Sequence, residues 1–296
     1  MQGFQILIHY LVRLRGNSQS MCVKNKIKID IHASNVNGIG ADRFIIALLH
    51  SIEETKSISI ENAFLYSNSQ FEKKVTFEKA NIYTYPLGYI SRLFELLFWK
   101  YKTNLSNDII VLGDLPLNTS VKQFILFHQA LLFDNSKLLE PYTWKFLIYR
   151  MLLRFNLKSN DVLMVQSVEM KEKISAFVKS DVEIIVLTIP KNLFSWLDFR
   201  RVSRSDSSIN SRKKINLIYP AAPYLHKNHS LVDEVQVSDK FKIFFTCARS
   251  DVKVMSSRVS YVGTLTQAQI YSYYSFCDAL LFLSKSESLG IPLLEA

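Results

Sequence analysis

Polar and apolar positions alternate along Lys26–His32 (KIKIDIH), the two-residue period of a strand entering a sheet. The stretch Asn35–Gly40 (NVNGIG) then leads into Ala41–Ile52, where apolar residues recur at helical spacing. The predicted order is strand, glycine turn, helix. Ile58–Tyr66 and Ala80–Tyr85 read as further short strands, and Ile90–Tyr101 as an aromatic-rich helix. Asp108–Leu112 (DIIVL) and Gln123–His128 (QFILFH) are apolar runs of the kind found in strands buried on both faces. A helix over Tyr142–Phe155, a strand over Asp161–Gln166, a helix over Val168–Val178 and a strand over Glu183–Leu187 complete the series.

Arg200–Lys214 (RRVSRSDSSINSRKK) breaks this rhythm and predicts a polar, basic linker. The pattern then restarts. Ile215–Tyr219, Phe241–Cys247, Val259–Val262 and Ala279–Ser284 read as strands; His229–Val235 and Gln267–Phe276 read as helices. Strands alternating with helices argue for parallel sheets covered on both faces. The expected organisation is a leader over 1–24, a first domain over 25–199, a linker over 200–214 and a second domain over 215–296. The leader reads either as sequence upstream of the true start or as a short surface helix, and it lacks the pattern of a signal peptide.

Length and composition narrow the class. The 296 residues suffice for two domains, and 48% hydrophobic content suffices for two cores. No apolar run reaches the ~20 residues of a membrane-spanning helix. Cys22, Cys247 and Cys277 stand far apart, as expected of buried or inert thiols in a reducing compartment. A net charge of +10 favours anionic partners. No nucleic-acid-binding motif accompanies it, so the charge points to phosphorylated small molecules or anionic membrane, or serves solubility alone. The helix Tyr142–Phe155, carrying Lys145, Arg150 and Arg154, reads either as a buried helix with snorkelling cations or as a face resting on membrane.

The chemistry concentrates near the end. In Ser284–Ala296 (SKSESLGIPLLEA), Gly290 and Pro292 disfavour one continuous helix, so Glu287 is expected in a loop and Glu295 in the first turn of a helix starting at Pro292. Beyond the carboxyl end of a parallel strand this is a ligand position, and the helix start suits a phosphate. The paired carboxylates suit sugar hydroxyls or, equally, a helix dipole and solvent. Lys227, within Tyr219–Ser230 (YPAAPYLHKNHS), lies ahead of a predicted helix that Asn228 or His226 could cap.

These residues resemble a family. E-S-L-G-I-P-L-L-E-A, preceded by CDALLFLS, resembles the E-x7-E signature of retaining GT-B glycosyltransferases, especially the glycosyltransferase group 1 (GT4) family. The resemblance implies an α/β GT-B fold of two Rossmann-like domains with parallel sheets, the second incomplete, and the donor in the cleft between them. It also implies transfer of a sugar, with retention, from a nucleotide-sugar donor to an acceptor hydroxyl on a glycan or lipid-linked acceptor, in bacterial surface-polysaccharide (O-antigen or capsule) synthesis. Glu287 would contact the donor sugar, Glu295 the ribose, and the amides around Leu289, Gly290 and Ile291 the diphosphate. Lys227 would neutralise the leaving diphosphate; the arginine many members place several residues earlier is absent, since Tyr219–Ala222 contains none. Gly38 and Gly40 match the family's glycine loop, or form only a tight turn. His128, at a strand end, would face the donor sugar, or is a hydrogen-bonded structural histidine. No metal or cofactor is expected, and no Asp-x-Asp occurs. A cytoplasmic enzyme, peripheral at the membrane face, is implied. A protein that binds a nucleotide sugar without turnover, or a GT-B-like epimerase, stand as the alternatives. Members continue past E-x7-E through further strand and helix, so a truncated product with weak or no activity is the expectation here.

Overall fold

The sheets form where the sequence is most continuously apolar. A computed structural model of the chain describes residues 26–34, 36, 39–55, 57–66, 80–85, 89–102, 105–133, 143–178, 181–187, 214–235, 238–287 and 290–296. The chain divides into two compact units, on either side of the boundary between Trp196 and Leu197.

In the first unit seven strands run parallel: β1 (Ile27–Ala33), β2 (Ile58–Tyr66), β3 (Asn81–Tyr85), β4 (Asp108–Val111), β5 (Gln123–Leu126), β6 (Val162–Val165) and β7 (Glu183–Val186). Their order is β3-β2-β1-β4-β5-β6-β7, so the winding reverses between β1 and β4. The helices are α1 (Ile39–Glu54), α2 (Tyr89–Lys102), α3 (Thr143–Asn156) and α4 (Val168–Ser175). Parallel strands joined by helices have an apolar layer on each face, and both are present. Ile29, Ile31, Phe124 and Met164 pack with Ile45, Leu48, Leu49 and Ile52 of α1 on one side. Ile109, Ile125 and Leu163 pack with Trp99 of α2 and Leu152 and Leu153 of α3 on the other. Ser167 caps α4, its hydroxyl accepting from Met170 N at 3.2 Å.

In the second unit β8 (Ile215–Tyr219), β9 (Phe241–Phe245), β10 (Val259–Tyr261) and β11 (Ala279–Leu280) form a parallel sheet in the order β10-β9-β8-β11, reversing between β8 and β11. Its helices are α5 (Leu231–Glu234), α6 (Gln267–Phe276) and α7 (Ile291–Glu295). Thr266 and Gln269 close a capping box at the start of α6, with Thr266 N donating to Gln269 Oε1 at 2.8 Å. Cys247 and Cys277 are buried free thiols. Cys22 and nearly all of the Arg200–Lys214 stretch lie outside the described residues.

Three expectations are corrected. Ala279–Ser284 is a strand only over its first two residues, which pair with Leu217 and Ile218 of β8; a last bond, Leu281 N to Ile218 O at 2.8 Å, ends the ladder. The helix predicted over His229–Val235 shortens to α5, because the His229 ring is buried against Tyr219 and Phe245. The helix Tyr142–Phe155 is buried on one face only, through Leu152 and Leu153: Leu147, Ile148, Met151 and Phe155 are exposed on α3. Arg150 does not snorkel over that exposed face. It donates to Leu132 O and lies 4.7 Å over the Phe177 ring. Among the described residues no helix is long and apolar enough to cross a membrane.

Candidate functional site

A doubly wound sheet leaves a crevice at its carboxyl edge where the strand order reverses, because the connections there leave in opposite directions. In the second unit that point lies between β8 and β11. The chain leaving β8 makes a 3₁₀ turn over Leu225–Lys227, and the chain leaving β11 runs through Ser284 to Glu287. The two segments are stapled together. Tyr219 OH donates to Lys227 O, and Ser284 Oγ lies 3.1 Å from the same phenol. Lys285 N donates to His226 O at 2.8 Å. Above this staple Lys227 Nζ donates to Glu287 Oε1, an ion pair with only 17% and 22% of the two side chains exposed.

The floor beneath the pair is aromatic. Tyr219 and His229 rings stand 4.9 Å apart, and His229 meets Phe245 edge-on at 4.9 Å. Burial pushes the Tyr219 phenol up to about 12, against the Ser284 hydrogen bond and with the Glu287 carboxylate adding to the rise. The phenol therefore stays protonated and keeps donating to the Lys227 carbonyl. Burial holds the His229 imidazole below its ordinary value; the Ala221 carbonyl opposes this and the Lys227 charge adds to it. A neutral ring thus supports a charged pair.

Lys227 reaches its place differently from the expected way. Neither Asn228 nor His226 caps α5: Ser230 is the N-cap, without a side-chain bond, and Asn228 closes the 3₁₀ turn in the left-handed region at φ 55°. Asn tolerates that conformation better than most residues. The His226 ring instead stacks on Tyr224, with centroids 5.7 Å apart.

Gly290 is the N-cap of α7 at φ 66°, ψ 46°, a conformation that a Cβ disfavours; a Cβ there would also meet Leu293 Cδ1 at 3.3 Å. The helix begins at Ile291, one residue before Pro292. Glu295 is therefore the last residue of α7, not part of a helix start. Its carboxylate accepts from Tyr274 OH at 3.1 Å and Gln267 Nε2 at 3.4 Å, both on α6. Leu289 lies outside the described residues. Of the four predicted positions in this unit whose side chains are described, Lys227 and Glu287 meet, and Ile291 and Glu295 belong to α7 beside them in sequence.

In the first unit the strand order reverses between β1 and β4. Gly38 lies outside the described residues, and Gly40 is inside the first turn of α1, not in the preceding turn. His128 follows β5 by two residues, past the ladder's end. Gln166 Nε2 donates to its Nδ1 at 3.1 Å, which puts the proton of the neutral ring on Nε2. Burial lowers the His128 imidazole from its ordinary value, and the Asp114 carboxylate opposes that shift.

Asp114 was missed by the sequence reading, which ended at Leu112. It holds a left-handed φ of 62°, and its Oδ1 accepts from His128 N at 2.5 Å and Gln129 N at 3.1 Å. The pair Gly113–Asp114 directly after a fully apolar strand was the available signal, since Asp both tolerates that conformation and binds nearby amides. A buried cluster at the same edge was missed too: Ser34 Oγ donates to Glu95 Oε2 at 2.8 Å and lies 3.1 Å from His32 Nε2.

Among the described residues no three His, Cys, Asp or Glu side chains gather as a metal site. An apolar hollow of about 360 Å³ lies elsewhere in the second unit, lined by Leu217, Leu231, Val232, Ile243 and Leu281, among others; none of Lys227, Glu287 or Glu295 lines it.

Two tandem Rossmann-like units with parallel sheets make this a protein of the GT-B fold class. No protein-family model matches the chain, and no curated protein does. Solved structures do. Anabaena HepE (Alr3699) in complex with UDP-glucose matches with a TM-score of 0.59 at 10% identity, over 91% of this chain and 78% of that one. The same protein in complex with UDP matches at 0.56 and 11% identity, with the same coverage. The N-terminal domain of Candida albicans trehalose-6-phosphate phosphatase matches at 0.52 and 10% identity, over 94% of this chain and 81% of that one. At such identities the likeness is one of fold.

Proposed function

We propose that the protein is a glycosyltransferase that moves a sugar from a nucleotide-sugar donor to an acceptor hydroxyl with retention. The observation that carries this reading is the Lys227–Glu287 pair at the point where β8 and β11 diverge. An ammonium group there can take the charge that grows on a departing diphosphate, while the carboxylate accepts hydrogen bonds from sugar hydroxyls. The two side chains bond each other, and each holds the other in place at the crevice. The binding of UDP-glucose and UDP by a protein of the same fold supports the donor class.

In this reading bond breaking at the anomeric carbon leaves an oxocarbenium-like sugar and a nucleoside diphosphate. Lys227 and the amides of Gly290 and Ile291 stabilise the leaving group, Glu287 orients the sugar, and Glu295 accepts from the ribose. His128 acts toward the donor sugar, its ring set by Gln166 and its backbone by Asp114. The resemblance of E-S-L-G-I-P-L-L-E-A to its family supports retention and a glycan or lipid-linked acceptor in surface-polysaccharide synthesis, at the cytoplasmic side. The same resemblance calls for no metal.

The test is turnover by the full chain with a panel of nucleotide sugars and glycan acceptors, with the anomeric configuration of the product read by NMR. Transfer with retention, abolished in Lys227→Met and Glu287→Gln, is expected. An altered sugar nucleotide formed from donor alone contradicts transfer and indicates epimerisation. Failure to bind any nucleoside diphosphate contradicts the whole reading.

A further inference from the structure

The cation that the proposed function gives to a diphosphate already has an anion on it. Lys227 Nζ donates to Glu287 Oε1, and water reaches only a minor part of either side chain. Such a pair is screened less than one on the open surface, and parting it leaves each charge without its counter-charge. A phosphate and a carboxylate compete for the same ammonium protons, because both accept charge-assisted hydrogen bonds. A diphosphate therefore takes Lys227 by displacing Glu287, and the displaced carboxylate then faces a second anion.

The backbone holds both ends of the pair while the side chains change partners. On the β8 side, Lys227 N donates to Tyr224 O at 2.9 Å, and Lys227 O accepts from the Tyr219 phenol. On the β11 side, Ser284 Oγ lies 3.1 Å from that phenol, and Lys285 N donates to His226 O at 2.8 Å. Lysine and glutamate side chains are both rich in rotamers. Rotation about their own bonds separates Nζ from Oε1 without moving the stapled segments.

We infer that Glu287 is an exchangeable counter-ion that makes the site select a sugar-bearing diphosphate over a free one. The inference rests on the reading of Lys227 as the partner of the diphosphate. A nucleotide sugar brings hydroxyls that donate to the displaced carboxylate, so both halves of the parted pair find new partners. A free nucleoside diphosphate takes Lys227 and leaves Glu287 against its own negative charge. Sugar and diphosphate thus support each other's binding, a coupling between two parts of one ligand. When the sugar is gone, Glu287 competes again for Lys227 and favours release of the diphosphate.

Calorimetric titration of uridine, guanosine, adenosine and cytidine diphosphates into the full chain and its Glu287→Gln and Glu287→Ala variants tests it, with circular dichroism to check that each variant is folded. Both variants should bind one of the diphosphates roughly tenfold more tightly than wild type, the size of a typical coupling between sites. Lys227→Met should bind it more weakly, and adding Glu287→Gln to Lys227→Met should restore much less than tenfold, since no ammonium is there to be released. The tightest-binding of the glucose, galactose, mannose and N-acetylglucosamine esters of that diphosphate should gain less in Glu287→Gln than the diphosphate itself, or lose affinity. Glu287 variants that bind the diphosphate no better than wild type, beside a loss in Lys227→Met, overturn the inference and leave the diphosphate assignment standing. An equal gain with and without Lys227 reduces the effect to plain repulsion and overturns the inference too, as does an equal gain for the sugar ester. Binding of no diphosphate by any of these proteins overturns the assignment itself, and the inference with it.

Discussion

The two sheets share a strand order and differ in where they are buried. In the first, β5 and β6 are closed to solvent along their whole length, and an apolar layer lies on each face. In the second, β8 and β9 begin exposed and become buried only toward their carboxyl ends, where Tyr219, Phe245, Cys247 and His229 lie. Among the described residues, one of its apolar clusters has Ile218, Phe244 and Cys277 as buried members. The first unit spreads its packing over a whole scaffold, while the second concentrates its packing under the Lys227–Glu287 pair. The buried rings of Tyr219, His229 and Phe245 pack against one another beneath that pair.

The sharpest way to break this contrast is a pair of equivalent truncations. Phe124→Ala, at 0% exposure in the middle of the first sheet, should destabilise that unit by about 3–5 kcal/mol. Phe244→Ala, in the thin cluster of the second, should cost about 2 kcal/mol, because less surrounding structure is left around the void. Denaturant titrations of both variants measure the difference; equal losses would mean that the second core is as complete as the first.

A smaller effect is expected at the edge of the site. Gly290→Ala places a Cβ in the left-handed region and against Leu293, with a loss of about 1–2 kcal/mol. Thermal melting reads that loss, and nucleotide binding should weaken with it.

The smallest effect is a pH dependence. The folded His229 ring takes up a proton less readily than the unfolded one, so between the two values the unfolded chain binds more protons. Stability of the second unit therefore rises with pH across that window and is lost as pH falls through ~6.5 toward the lower folded value. His229→Phe should flatten this slope. Because His128 is shifted in the same direction, the two rings should be followed separately by NMR titration.

Which parts of this were legible in the sequence follows from the same contrast. DIIVL, QFILFH and DVLMVQ read as strands because a strand buried on both faces has no polar alternation to confuse with a helix, and β4, β5 and β6 lie inside those runs. ALLFLS had the same appearance but ladders over two residues only, since an apolar run does not record whether a neighbour exists to pair with it. Lys227 and Glu287, 60 residues apart, were both singled out, and they meet because β8 and β11 are adjacent. Glu295 was placed by helix-start logic, yet its partners are Tyr274 and Gln267, set by how α6 packs beside α7, which local sequence does not encode. His229 was read as part of a helix start and is a floor residue. Asp114 escaped notice because its role depends on a backbone angle and on two amides fourteen and fifteen residues away.

The most direct measurement is calorimetric titration of uridine, guanosine, adenosine and cytidine diphosphates into the full chain and into Lys227→Met. One of them should bind the wild type, and the variant should bind it roughly tenfold to a hundredfold more weakly, the loss of a charge-assisted hydrogen bond, with melting little changed. Equal affinity in the two proteins would contradict the assignment of the Lys227–Glu287 crevice to the diphosphate.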